Sequence, residues 1–293
     1  MADDKKKILL IEDDPSIGQL IFDMLENDGF QVIWERGAVA GLKQYSQQAL
    51  ELLITDIDLP DMKGFDVCRV IREKPFGFIT PIIFMSALDT MQGRVEGFSM
   101  GGDDYLSKPF SYDGLIQKVA AVIEVKKKRL MTDDQETHFP GFNLLVKRFD
   151  ELKGTGKHMI YHTVAHYYRI LRKLKSYDVV EEVKNWTGKL QKTAGIGEIY
   201  HLDGPHFVFL GSESKPEELF FRIIKDSLSH FVPVEGREKV ALHFCGLDLK
   251  KAAGRNILDL VPQLTALMSR LDPEKSGLVL ENGKIVTASD MPF

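Results

Sequence analysis

Five short runs of apolar residues, rich in β-branched side chains, punctuate the first 125 positions: ILLI (8–11), QVIW (31–34), LLIT (52–55), IIFM (82–85) and YLS (105–107). Each is too short for a helix and is followed by turn or cap residues, which predicts strands. Between them, apolar side chains recur at spacings of three and four, as at Ile17, Leu20, Ile21 and Leu25, which predicts helices. This alternation predicts an α/β unit, a doubly wound (βα)5 parallel sheet over residues 1–125. In such a sheet, functional groups gather beyond the carboxyl ends of the strands, beside the switch in strand order.

The pattern changes after residue 125. A basic run, KKKR (126–129), follows a helix over Tyr112–Val125 and reads as its solvated last turn, complementing the helix dipole. Residues 126–136 then read as a linker. From 137 to 293 the pattern predicts a helix (Leu144–Leu152), a strand (HMIYHTVA), one or two helices (Tyr167–Gln191) and a hairpin of IYHL and HFVFLG around Asp203–Gly204. A helix (Glu217–His230), a strand (KVALHFCGLDL) and an amphipathic helix (Asn256–Leu271) follow. The last pair, GLVLE and KIVTA, flanks Asn282–Gly283, a strong hairpin signal. This order predicts a second α/β domain with a mainly antiparallel central sheet.

Composition narrows the function classes. The chain has 293 residues and a formal net charge of −5, but residues 1–125 hold 12 basic against 21 acidic side chains, so the acidic excess lies in the first half. Neither half is basic enough to suggest nucleic-acid binding by charge. Two distant cysteines, Cys68 and Cys245, suit a reducing compartment. The N-terminus lacks a signal-peptide pattern, and no apolar run approaches the roughly 18 residues needed to cross a bilayer. A cytoplasmic protein without membrane insertion is predicted.

The predicted strand ends carry the chemistry. Glu12, Asp13 and Asp14 follow the first strand, Asp56 the third, Ser86 the fourth, and Lys108 with Pro109 the fifth. Carboxylates converging on one cleft repel unless a divalent cation or a lysine joins them, and hard oxygen ligands favour Mg2+. A cation, a lysine and a hydroxyl are equipment for handling a phosphoryl group.

Together IEDDP, LLITDIDLPDMKG, IIFMSA and GGDDYLSKPF resemble the receiver domain of two-component response regulators. The resemblance implies a flavodoxin-like fold with Asp56 as phosphoacceptor, followed by Pro60 and Gly64. It implies Glu12 and Asp13 as the acidic metal pair, with the backbone carbonyl of Asp58 as a further ligand. Lys108 would pair with the phosphate across a cis Lys108–Pro109 bond, Ser86 would be the switch hydroxyl and Tyr105 the switch aromatic, rotating inward as Ser86 is drawn to the phosphate. The implied partner is a histidine kinase or phosphotransfer protein. RVEGFSMGGDDYLSKPF also resembles the OmpR/PhoB branch, which implies a homodimer through the face of the fourth helix, fifth strand and fifth helix. Arg94, Asp103, Asp104 and Lys118 would be its cross-dimer charges, and Gly114 stands where that branch carries an acid.

In the second half, THFPG (137–141), VAHYYRIL (164–171), YHLDGPHFVFL (200–210) and HFCGLDL (243–249) resemble a GGDEF domain, the fold of diguanylate cyclases. The signature hairpin becomes Asp203, Gly204, Pro205, His206, Phe207. Ala165, Pro205 and His206 stand where the family's carboxylates would hold Mg2+ against a triphosphate, and the product-inhibition motif is missing from Ala194–Gly197. The resemblance therefore implies a degenerate GGDEF-like domain that is not a cyclase and acts on an unknown protein partner. A module that binds GTP or cyclic di-GMP, or that keeps residual cyclase activity, is one alternative; a DNA-binding regulator is the other. His158, His162 and His166 recur every four residues, but on a strand His158 and His162 share a face without a carboxylate or cysteine in register, which disfavours zinc.

Overall fold

A computed structural model describes residues 6–87, 91–131, 140–164, 198–203, 206–212, 215–227, 241–272 and 275–290. The chain divides into two compact units, Met1–Arg129 and Leu130–Phe293.

In the first unit, β1 (Lys7–Ile11), β2 (Gln31–Glu35), β3 (Leu52–Asp56), β4 (Ile82–Ser86) and β5 (Asp104–Ser107) alternate with helices. These are α1 (Pro15–Asn27), α2 (Ala38–Gln47), α3 (Gly64–Arg72), α4 (Met91–Ser99) and α5 (Tyr112–Met131). The strands pair in parallel in the order β2-β1-β3-β4-β5, the doubly wound sheet predicted. A parallel strand covered on both faces must be apolar throughout, and the alternate residues of β1 divide accordingly. Ile8 and Leu10 pack with Ile21, Leu25, Leu115 and Val119 from α1 and α5. Leu9 and Ile11 pack with Val67, Cys68 and Ile71 from α3. With β2 on one side of β1 and β3 on the other, the chain reverses its winding at β1, which opens the cleft beyond β1 and β3.

One boundary differs from the sequence reading. Helix α5 does not stop at Val125; it continues through the KKKR run to Met131. Lys126 is no solvated side chain, being only 5% exposed and bonded to Asp103 at 2.9 Å, and Lys127 pairs with Glu51 at 2.6 Å. The run was unreadable as anchored because its acceptors lie 23 and 76 residues upstream.

In the second unit, α6 (Phe142–Leu152) precedes β6 (His158–Val164), the hairpin β7 (Glu198–Asp203) and β8 (His206–Ser212), and α7 (Pro216–Ser227). Strand β9 (Leu242–Asp248), α8 (Val261–Met268), β10 (Gly277–Leu280) and β11 (Ile285–Thr287) complete it. The sheet is mixed, in the order β11-β10-β9-β6-β8-β7, and among the described strands only β9 and β10 pair in parallel. The Asn282–Gly283 hairpin forms as predicted, with Gly283 at φ +82°, a conformation that disfavours side chains. The helix expected over Asn256–Leu271 is divided: Asn256 and Asp259 form a reciprocal capping box around a 3-10 turn, and the α-helix begins at Val261, with Pro262 in its first turn. The helices expected over Tyr167–Gln191 lie outside the described residues. Among the described residues no helix is long and apolar enough to cross a membrane.

Candidate functional site

Strands β1 and β3 are hydrogen-bonded neighbours that end side by side, so Glu12 and Asp13, just past β1, meet Asp56, the last residue of β3. One carboxylate oxygen from each of the three lies within 4.8 Å of the others. Glu12 is buried, and the loss of hydration pushes its pKa up to about 6 despite an opposing hydrogen bond from Lys108. Asp14 faces away: its carboxylate caps α1, accepting from the N–H groups of Ile17 and Ser16, which hold its pKa below the usual value.

Lys108, one residue past β5, closes the cluster. Its ammonium donates to Glu12 Oε2 at 2.6 Å and to Asp56 Oδ2. Burial works against that charge, but the bonds to Asp56 and Glu12 outweigh it and keep the pKa above the ordinary lysine value. The Lys108–Pro109 bond is cis, as expected. Asp58 reaches the site through its backbone, its N–H donating to Asp56 Oδ1 at 2.9 Å, while its carboxylate pairs with Lys63. Gly64 lets this loop close on itself, since a Cβ there would lie 2.2 Å from the Asp56 carbonyl oxygen. Three carboxylates at this separation, one buried, form a hard-oxygen donor set that suits a small divalent cation such as Mg2+.

Ser86 ends β4, buried, one residue past the partner of Asp56 in the β3–β4 register. Tyr105 is already inward. It is 5% exposed, packs against Phe84 and Phe65, and donates its hydroxyl hydrogen to the Gly93 carbonyl of α4 at 2.7 Å.

Of the four residues expected as cross-dimer charges, Asp103 is bound within its own chain. Asp103 is 10% exposed and accepts from Arg72 at 2.7 Å, Lys126 at 2.9 Å and the Ile82 N–H at 2.9 Å, so its carboxylate is committed within its own chain. Asp104 and Lys118 pair with each other at 3.0 Å. Arg94 is exposed. Sequence reading missed Arg72, although it follows Cys68 by four positions and so shares the buried stripe of α3. It also missed Trp34 and Arg36, whose donors end on the carbonyls of Glu12 and Asp13.

In the second unit, Ala165, His166, Gly204, Pro205 and the side chain of Asp203 lie outside the described residues. His206 and Phe207 are fully buried, and His206 Nδ1 lies 2.7 Å from the Tyr161 hydroxyl. His162 lies on β6 as expected, stacked on Phe244 at 4.4 Å and facing Phe207 at 6.1 Å.

Residues 8–120 match the family profile described as the response regulator receiver domain. The first unit is a response-regulator receiver domain. Over 117 residues the chain is 38% identical to the uncharacterized transcriptional regulatory protein YclJ of Bacillus subtilis, covering 40% of this chain and 50% of that protein. The transcriptional regulatory protein CiaR of Streptococcus pneumoniae is 35% identical over 118 residues, covering 40% and 51%. The chain therefore spans about half the length of these curated relatives. Among solved structures, the receiver domain of sensor histidine kinase PA1611 from Pseudomonas aeruginosa PAO1 is similar at 28% identity and a TM-score of 0.39. That match covers 41% of this chain and 98% of that one, whose active-site cleft coordinates a magnesium ion.

Proposed function

We propose that this protein is a phosphorylation-controlled response regulator whose receiver accepts a phosphoryl group on Asp56, and whose second unit is a degenerate, non-cyclase GGDEF-like output domain acting on another protein. The observation that carries the first part is the convergence of Glu12, Asp13, Asp56 and Lys108 beyond β1, β3 and β5. A carboxylate oxygen of Asp56 attacks the phosphorus of a phosphohistidine on a kinase or phosphotransfer protein; an O–P bond forms as the N–P bond breaks, and the electron pair leaves with the imidazole nitrogen. Glu12, Asp13 and Asp56 would hold Mg2+, which supplies charge neutralisation for the phosphoryl oxygens. Lys108 then exchanges its bond to the Asp56 carboxylate for one to the phosphoryl group, and the Ser86 hydroxyl takes another oxygen.

Support for the output reading is the order of elements, strand, hairpin, helix, strand, helix and hairpin, together with the absence of carboxylates at Ala165, Pro205 and His206. The buried His206 at the hairpin also leaves that position no ionised oxygen to offer a nucleotide. Incubation with a small phosphodonor and Mg2+ is expected to add one phosphoryl group by intact mass, and Asp56→Asn is expected to abolish it. GTP is expected to yield no cyclic di-GMP, and calorimetry with either nucleotide to give no heat. Partner capture from lysate by wild type and Asp56→Ala at equal strength would defeat the phospho-switch reading.

A second reading is favoured by the relatives named as transcriptional regulatory proteins: the second unit binds DNA. A salt-dependent mobility shift with genomic fragments would support it, and its absence would leave the protein-binding reading.

A further inference from the structure

We infer that Trp34 and Arg36 are positioning residues for the acidic pair, holding Glu12 and Asp13 in the geometry that cation binding requires. This rests on the reading above, in which those carboxylates are cation ligands.

Three consecutive contacts fasten the loop after β1 to the end of β2. The Glu12 N–H donates to the Glu35 carbonyl at 3.1 Å, extending the β1–β2 ladder one residue past the strand. The indole Nε1 of Trp34 donates to the Glu12 carbonyl at 2.9 Å. The guanidinium of Arg36 donates twice to the Asp13 carbonyl, from Nε at 3.2 Å and from a terminal nitrogen at 2.9 Å. Both carbonyls of the pair are thus bound by side chains of a neighbouring segment that contributes no ligand.

The indole has a prepared seat. Gly18 of α1 faces it, and a Cβ at that position would lie 2.1 Å from the ring. Helix α1 is in turn capped by Asp14, the residue after the pair, so the loop is held from both sides. Mg2+ demands near-octahedral geometry and tolerates little ligand displacement, and groups that orient ligands without touching the metal commonly change affinity 10- to 100-fold.

The test uses the full chain. Trp34→Phe stays aromatic but removes the indole N–H together with the part of the ring over Gly18; Arg36→Gln changes an exposed side chain and removes the two-pronged donor. Mg2+ affinity is measured by isothermal titration calorimetry, and phosphorylation of Asp56 separately at saturating Mg2+. The double variant is expected to bind Mg2+ at least about tenfold more weakly and to regain wild-type phosphorylation when Mg2+ is saturating, with Arg36→Lys recovering part of the affinity. If wild type binds Mg2+ and the variants bind it equally well, the positioning role is overturned while the phosphoacceptor reading stands. A phosphorylation defect that persists at saturating Mg2+ also overturns it. If wild type binds no Mg2+, the reading beneath it falls as well.

Discussion

Lys108 stands between two carboxylates that would otherwise repel, and only 13% of its side chain is exposed. Removing one partner of such a pair leaves a charge with no compensation. Lys108→Met is therefore expected to lower receiver stability by about 3 kcal/mol without Mg2+. The loss should shrink well below pH 6, where Glu12 takes a proton, and added Mg2+ should recover part of it; urea unfolding on both sides of that pH checks this. His162 gives the second unit a pH dependence of its own. Burial drives its pKa down to about 3, against a weaker upward pull from its bond to the His243 carbonyl. Because the unfolded imidazole titrates at 6.5, the unfolded chain gains that proton first. Stability from this residue is complete above pH 6.5 and is lost as the pH falls towards 3, at about 1.4 kcal/mol per pH unit. His162→Phe, which suits the space between Phe207 and Phe244, is expected to flatten that slope in calorimetric unfolding. Identical slopes would point to another group.

Among the elements, α4 and α5 hold most that the sequence concealed. Gly97 lets Tyr105 lie flat on α4, since a Cβ would come within 2.5 Å of its ring. Gly97→Ala is expected to push the ring outward at a cost of about 1–3 kcal/mol, raising the reactivity of Tyr105 toward iodination as read by mass spectrometry. Unchanged labelling would show that the helix yields instead. The strands were legible because a parallel strand covered on both faces must be an unbroken apolar run, and their terminal Glu12, Asp56, Ser86 and Lys108 followed from the rule about strand ends. Asp103 was assigned to a dimer face by the resemblance to the OmpR/PhoB branch, whereas its partners, Arg72 and Lys126, come from α3 and α5 of its own chain. Trp34 and Arg36 escaped notice because they act through backbone carbonyls, to which residue-type motifs are blind.

For the whole molecule, the division into two compact units makes the receiver separable in principle. Residues 1–131 produced alone are expected to fold cooperatively and accept phosphate, whereas a chain ending at 125 loses Lys126 and should melt at lower temperature by circular dichroism. Equal melting temperatures would show that the Lys126–Asp103 pair contributes nothing. The uneven charge also gains a local meaning: part of the acidic excess of the first half is concentrated at the Glu12, Asp13 and Asp56 cluster.

The Arg72–Asp103–Lys126 cluster has a mechanical consequence. Lys126 sits on the stretch of α5 that leads out of the receiver, and turning that stretch about its axis would strip a buried carboxylate of one of its two cations. The exit stretch of α5 is therefore keyed at Lys126 to the loop before β5, so that its first turn leaves the receiver as a fastened helix rather than a slack tether.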